Sequence, residues 1–223
     1  MASFTRTGCL YIFDMDGTLF QTEAVAVPSF RRALAELARR GVEIPAGLSD
    51  RDITGALGNT HDLIWKQLLG HLLPEDLREE IDRDLMEDEL AAIRRGDGRL
   101  YPGVTTVLER LSADGARLFV ASNGQQKYVE GIVDHFGIRQ LFTGLHSAAG
   151  ARVANKSALV RMICRDYPHT PGFMVGDRAS DMLAGRDNGL VTVGCAFGFG
   201  NPSELAGADH IIRQMDELLA LAL

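Results

Sequence analysis

The sequence predicts an α/β fold, a parallel sheet with helices on both faces and a helical segment inserted after the first strand. Three observations carry this. Short apolar runs recur along the chain as continuous stretches rather than alternating ones, the pattern of strands covered on both sides. Segments of helical period separate them, and such alternation builds a parallel sheet. Between residues 22 and 95 the rhythm stops, and no convincing strand occurs there.

The elements follow in order. The first strand is "CLYIF" (residues 9–13), and "DMDGT" (14–18) follows it at once. Helices then dominate. "SFRRALAELARRG" has apolar Phe30, Leu34 and Leu37 at helical spacing and stops at Gly41. "HDLIWKQLLGHLL" comes next, then "PEDLREEIDRDLMEDELAAIRR". The last sets Leu77, Ile81, Leu85, Leu90 and Ile93 on roughly one face, with Pro74 at a first helical position. Beyond residue 95 the alternation resumes. Strands are read at 117–122, 172–176, 190–194 and, more weakly, 209–213, with a short one inside 139–148. Helices are read at 103–113, 125–136, 156–165 and 178–188. The expected division is an α/β core of residues 1–21 and 96–223 and a helical insertion of 22–95.

Composition bounds the function. Hydrophobic residues make up 46% and charged residues 24%, ordinary for a soluble globular protein. No stretch of eighteen apolar residues occurs, so no membrane span is expected. The first residues lack the apolar core of a signal peptide. Cys9, Cys164 and Cys195 are far apart and odd in number, which fits a reducing cytoplasm and argues against a disulfide framework or a cysteine zinc cluster. A net charge of −7 disfavours nucleic acid and anionic membrane as main partners. Lysine occurs only at positions 66, 127 and 156, and arginine supplies the other bases. Nothing in the sequence sets the oligomeric state.

Four pieces fall at or near the carboxyl ends of strands, where ligands bind in open α/β sheets. They are Asp14 and Asp16 in "DMDGT", Ser122-Asn123-Gly124, Lys156 opening a helix, and Asp177 with Asp181 in "GDRASD". Each has a plain reading alone: strand-end acids, a turn, a surface lysine, a helix cap. Chance would give D-x-D-G-T about once in a thousand such chains. The four together, in this order and at these strand ends, point to a working site.

This set resembles the haloacid dehalogenase-like superfamily, dominated by magnesium-dependent phosphatases, and within it the phosphoglycolate-phosphatase-like group. The motifs match in order and spacing, and the insertion is similar to the family's helical cap, so the resemblance covers essentially the whole chain. It implies a Rossmann-like sheet, Mg²⁺, and hydrolysis of a small phosphorylated metabolite. Asp14 is then the nucleophile that forms an aspartyl-phosphate, and Asp16 the acid and base that protonates the leaving oxygen and activates water. Asp14, the backbone carbonyl of Asp16 and Asp177 are implied ligands of a hard cation, with Asp181 beside them. Ser122 and the N–H groups of Asn123 and Gly124 are implied to hold the phosphoryl oxygens, with Lys156 between phosphate and Asp14. An acid at position 16 disfavours the dehalogenase and phosphonatase branches. A phosphomutase of the β-phosphoglucomutase kind is the alternative enzyme, although Ser157 follows the lysine where such mutases usually carry proline. A non-catalytic metabolite-binding protein is the alternative outside enzymes, and no motif residue is missing to support it.

Other features read more plainly. The acidic helix 75–89 reads as a solvated face, Lys66 as structural, and the six histidines as surface or filler. The segment 49–62 is either a specificity loop or a helix connection. "CAFGFGNPSE" (195–204) reads as a turn after a strand, and Trp65, Met174 and Met182 as packing.

Overall fold

The computed structural model describes residues 6–221. Its strands are β1 (Leu10–Phe13), β2 (Arg117–Ser122), β3 (Gly144–Ser147), β4 (Gly172–Gly176), β5 (Val191–Cys195) and β6 (His210–Ile212). They form one parallel sheet in the order β3-β2-β1-β4-β5-β6. This is the doubly wound order, with β1 and β4 side by side where the chain reverses its direction of travel across the sheet. The short strand expected within 139–148 is β3.

The helices are α1 (Glu23–Arg39), α2 (Asp50–Ala56), α3 (His61–Leu69), α4 (Glu75–Arg94), α5 (Val104–Ala113), α6 (Gln126–His135), α7 (Ala148–Ala151), α8 (Lys156–Arg165), α9 (Ala179–Asp187) and α10 (Pro202–Leu205). Strand β1 shows why its sequence does not alternate. Tyr11 and Phe13 face one apolar layer with Val107 and Leu111 of α5 and Val129 and Val133 of α6. Leu10 and Ile12 face the other, with Leu159 and Ile163 of α8 and Ala184 of α9. Both faces of the strand are covered, so every position must be apolar.

Helices α1 to α4 gather around their own apolar cluster, with Phe30, Leu34, Ile53, Trp65, Ile81 and Leu85 in it. The rings of Phe30 and Trp65 lie 5.2 Å apart at its centre. Two local expectations shift. Helix α1 begins at Glu23, earlier than the pattern read from Ser29, and it holds Pro28 inside. Burial of Val25 and Ala26 draws this first turn in and offsets the one lost backbone bond. Pro74 stands just before α4, at its N-cap rather than its first turn.

The chain leaves and re-enters the sheet layer through two adjacent segments. Gln21 N–H donates to the Arg99 carbonyl (2.8 Å), and Tyr101 N–H to the Leu19 carbonyl (3.0 Å). Phe20 and Leu100 form an antiparallel bridge there. Among the described residues, no helix is long and apolar enough to cross a membrane.

Candidate active site

The strand ends bring the expected residues together. Asp14 N–H donates to the Val175 carbonyl (2.9 Å), which carries the β1–β4 ladder one residue past β1. Asp14 and Asp177 therefore leave neighbouring strands side by side. Gly17 follows with φ of 79°. A Cβ there would lie 2.4 Å from Asp177 Oδ2, so both the turn and the close approach require glycine. Lys156 is the first residue of α8, whose start is fixed by Asn155 Oδ1 accepting from Ala158 N–H (2.9 Å). That geometry sends the ammonium inward, 2.8 Å from Asp14 Oδ1 and 2.6 Å from Asp181 Oδ1, with the residue only 2% exposed.

Asp14, Asp177 and Asp181 are buried, and each offers a carboxylate oxygen within 4.8 Å of the others. Their bonds differ. Asp181 Oδ2 accepts from Arg178 N–H (2.9 Å), capping α9, while its Oδ1 takes Lys156. Asp177 Oδ2 accepts from the N–H groups of Phe199 (2.6 Å) and Gly200 (3.3 Å). Asp14 Oδ2 is buried with no hydrogen-bond partner among the described residues. Burial pushes the Asp14 carboxyl well above the carboxylate range; Lys156 opposes this, and Asp181 and Asp177 add to it. Burial, then Asp181, pushes Asp177 up to about 7. Burial alone would lower the Lys156 ammonium, but Asp14 and Asp181 hold it well above its ordinary value. Three acids against one lysine leave surplus negative charge around an orphaned oxygen. This all-oxygen set fits a hard divalent cation.

Asp16 has a different environment. Its Oδ1 accepts from Thr22 Oγ1 (2.6 Å) and Tyr128 OH (2.8 Å). Burial raises its carboxyl, and the two hydroxyl bonds work against that rise. Neither Thr22 nor Tyr128 stood out in the sequence. Tyr128 has no local signal at all, since only the packing of α6 brings it to a residue 112 positions away.

Ser122 Oγ accepts from Gly124 N–H (2.9 Å), so one of the two amides expected to meet phosphate closes the turn instead. The Ser122 hydroxyl proton is still available to donate. Asn123 Nδ2 donates to the Gly58 carbonyl (2.9 Å), Gln125 Nε2 to the Asp82 carbonyl (3.2 Å) and Arg178 Nη1 to the Gly55 carbonyl (3.3 Å). These bonds tie the strand ends to the helical segment. The 49–62 segment proves to be helix α2 plus the start of α3, with Leu57–Thr60 between them and its glycine carbonyls turned to the site.

Where the two parts meet, a cavity of about 30 Å³ is lined by Asp16, Thr22 and Tyr128 on one side and by Phe30, His61 and Glu89 on the other. This corrects the reading of the acidic helix. Asp82 and Glu89 of α4 are buried because they share the inward face with Leu85 and Met86, at spacings of three and four residues. Asp82 Oδ1 accepts from Trp65 Nε1 (2.7 Å) and lies 2.8 Å from His61 Nδ1. His61 is thus no filler. Burial pulls its imidazole down, but Asp82, Glu89 and Asp16 together push it up. Burial pushes Glu89 up to about 8, with His61 opposing.

The turn after β5 is also part of the site. A Cβ at Gly198 would lie 2.3 Å from the Gly17 carbonyl, and one at Gly200 1.6 Å from the Asp177 carbonyl. The two glycines let this turn press on both acid-bearing loops and hold Asp177 by its amides. "GFG" just after a strand is the sequence signal for this contact.

Comparison with known proteins identifies the family and the fold. A family model described as a haloacid dehalogenase-like hydrolase matches residues 10–189. A phosphoglycolate phosphatase of Vibrio parahaemolyticus is 28% identical, covering 94% of each chain. The tyrosine-protein kinase PtkA of Mycobacterium tuberculosis is 30% identical over 86% of this chain and 63% of its own length. The crystal structure of a predicted phosphoglycolate phosphatase from Haemophilus somnus superposes with a TM-score of 0.79 at 25% identity, over 96% of this chain and 97% of that one.

Proposed function

The chain belongs to the haloacid dehalogenase-like hydrolase family and is a phosphatase of it, and from there we propose that it hydrolyses a small phosphorylated metabolite in the cytoplasm through an aspartyl-phosphate on Asp14. The observation that carries this is the separation of two neighbouring carboxylates into different environments. Asp14 faces Lys156 and the acid cluster, whereas Asp16 faces hydroxyls and the cavity. This difference supports attack by the first and proton transfer by the second.

In this reading Asp14 attacks phosphorus and the alkoxide leaves. Asp16, whose carboxyl burial raises, gives that oxygen its proton and later takes one from the water that opens the acyl phosphate. Lys156 balances charge on Asp14, and Ser122 donates its hydroxyl to a phosphoryl oxygen. Mg²⁺ held by Asp14, Asp177 and the Asp16 carbonyl, with Asp181 beside it, would supply the positive charge that lets an anion approach a phosphate dianion. We assign residues 22–95 as the cap and 1–21 with 96–223 as the core, so that the cap covers the leaving group. Residues 1–5 and 222–223 of that core lie outside the described residues.

A rapid acid quench with labelled aryl phosphate and Mg²⁺ tests the assignment. Wild type should carry label on Asp14, and Asp14→Asn none. Asp16→Asn should lose roughly 10²–10⁴-fold in its proton-transfer steps, least in phosphoenzyme formation from an aryl phosphate, so that label accumulates. Label captured by Asp14→Asn, or wild-type turnover of a sugar phosphate by Asp16→Asn, would refute these roles.

A further inference from the structure

The proposed leaving-group cavity holds one side chain that the chemistry above does not use. Glu89 is only 7% exposed, lines the cavity together with Asp16, and makes no hydrogen bond among the described residues. A buried carboxyl without a partner is costly, and a native site keeps one where a ligand completes it. Its neighbours say which kind. His61 stands across the cavity, its Nδ1 2.8 Å from Asp82 Oδ1. Among the described residues, no lysine or arginine lines the cavity, and two of its lining residues are acids.

We propose that Glu89 is the specificity-determining residue of this phosphatase, and that it receives a hydroxyl group carried by the alcohol half of the substrate. The substrate class is then a small hydroxylated phosphate monoester rather than a carboxylated one. A hydroxyl can donate to Glu89 and accept in turn, so it satisfies the carboxyl in either protonation state. A carboxylate would enter beside Asp16 and Glu89, with a single imidazole that lies 2.8 Å from the Asp82 carboxyl. Glu89 also reports on the cavity directly. Burial pushes it up to about 8, so the protein's own carboxylate is poorly stabilised at that place. A substrate carboxylate would meet the same environment. The apolar neighbours Phe30, Leu57, Ile64 and Met86 suit the carbon skeleton between hydroxyl and phosphate. The inference rests on the phosphatase assignment of the same site.

The test compares kcat/KM with Mg²⁺ for three esters of similar size: 2-hydroxyethyl phosphate, ethyl phosphate and 2-phosphoglycolate. An aryl phosphate serves as reference on each protein. Wild type should prefer the hydroxyethyl ester over both others by about 10-fold or more, the value of one well-placed hydrogen bond. Glu89→Leu should erase the preference over ethyl phosphate, read as a ratio on the same protein, whereas Glu89→Gln, which keeps a donor and an acceptor, should retain it. Wild type hydrolysing 2-phosphoglycolate or ethyl phosphate as well as the hydroxyethyl ester would overturn the proposal, and that measurement needs no variant. A preference that survives Glu89→Leu would overturn it too. No hydrolysis of any ester, the aryl phosphate included, would instead refute the phosphatase assignment on which it rests.

Discussion

At the scale of single residues, environment rather than identity divides the labour among the acids. Asp14, Asp16, Asp177, Asp181 and Glu89 are all buried carboxyls, yet only Asp14 and Asp181 meet Lys156. Glu89 gives a measurable consequence. Its ordinary value of 4.5 rises to about 8 in the fold, so between those values the folded chain holds a proton that the unfolded chain has released. Stability from this residue is present below about 4.5 and is lost as pH rises toward about 8. Glu89→Gln carries no such proton and escapes the loss. Its Tm relative to wild type should therefore climb by roughly 2–8 °C between acid and mildly alkaline pH. Thermal melts of both proteins without metal, at several pH values, check this. A difference that stays flat or falls with pH would show that Glu89 ionises normally.

At the scale of elements, the helical segment is held to the sheet by two kinds of contact. Side-chain bonds from Asn123, Gln125 and Arg178 reach its carbonyls across the cavity. The two chain crossings, 19–21 and 99–101, pair by backbone bonds and so must move together when the segment moves. Gly98 sits at that pair. A Cβ there would lie 2.6 Å from Phe20 Cζ and 2.8 Å from Cε2, in a ring that is fully buried and has nowhere to go. Gly98→Ala should thus destabilise the chain by about 1–3 kcal/mol, the usual cost of overpacking. Phe20→Leu in the same chain should recover part of it, because neighbouring sites couple. Urea unfolding of both variants gives the numbers; an unchanged midpoint for Gly98→Ala would mean that the crossing yields freely. Gly96, two residues earlier, has open space around it and a φ of 87°.

For the whole molecule, the acid cluster is a built-in electrostatic cost. Burial and mutual repulsion raise Asp14 and Asp177, and Lys156 offsets only part of it. A bound divalent cation should relieve this and stabilise the fold. Mg²⁺ at a hundred times its Kd adds about 2.7 kcal/mol, or roughly 5–11 °C in Tm for a chain of this length. Asp177→Asn should melt higher than wild type without metal, since one repelling charge is gone, and gain less from Mg²⁺. Melting curves with EDTA and with Mg²⁺ check both signs. Full activity in excess EDTA would remove the metal from the proposal.

The sheet, its parallel sense, the helical insertion and the acid, serine and lysine positions at the strand ends are legible in the chain alone. These are local signals: apolar runs, helical periods and short motifs report on residues a few places apart. Tertiary structure decided what depends on distant segments meeting. Tyr128 and Thr22 bind Asp16 because α6 and the start of α1 converge on the loop after β1. The turn at 198–200 holds Asp177 because β5 runs beside β4. Asp82 and Glu89 read as solvated charge, since a helix with acids around most of its circumference hides which face will be covered. Only the packing of α4 over the site buried them, and burial gave His61 and Glu89 a chemistry that residue type and spacing do not encode.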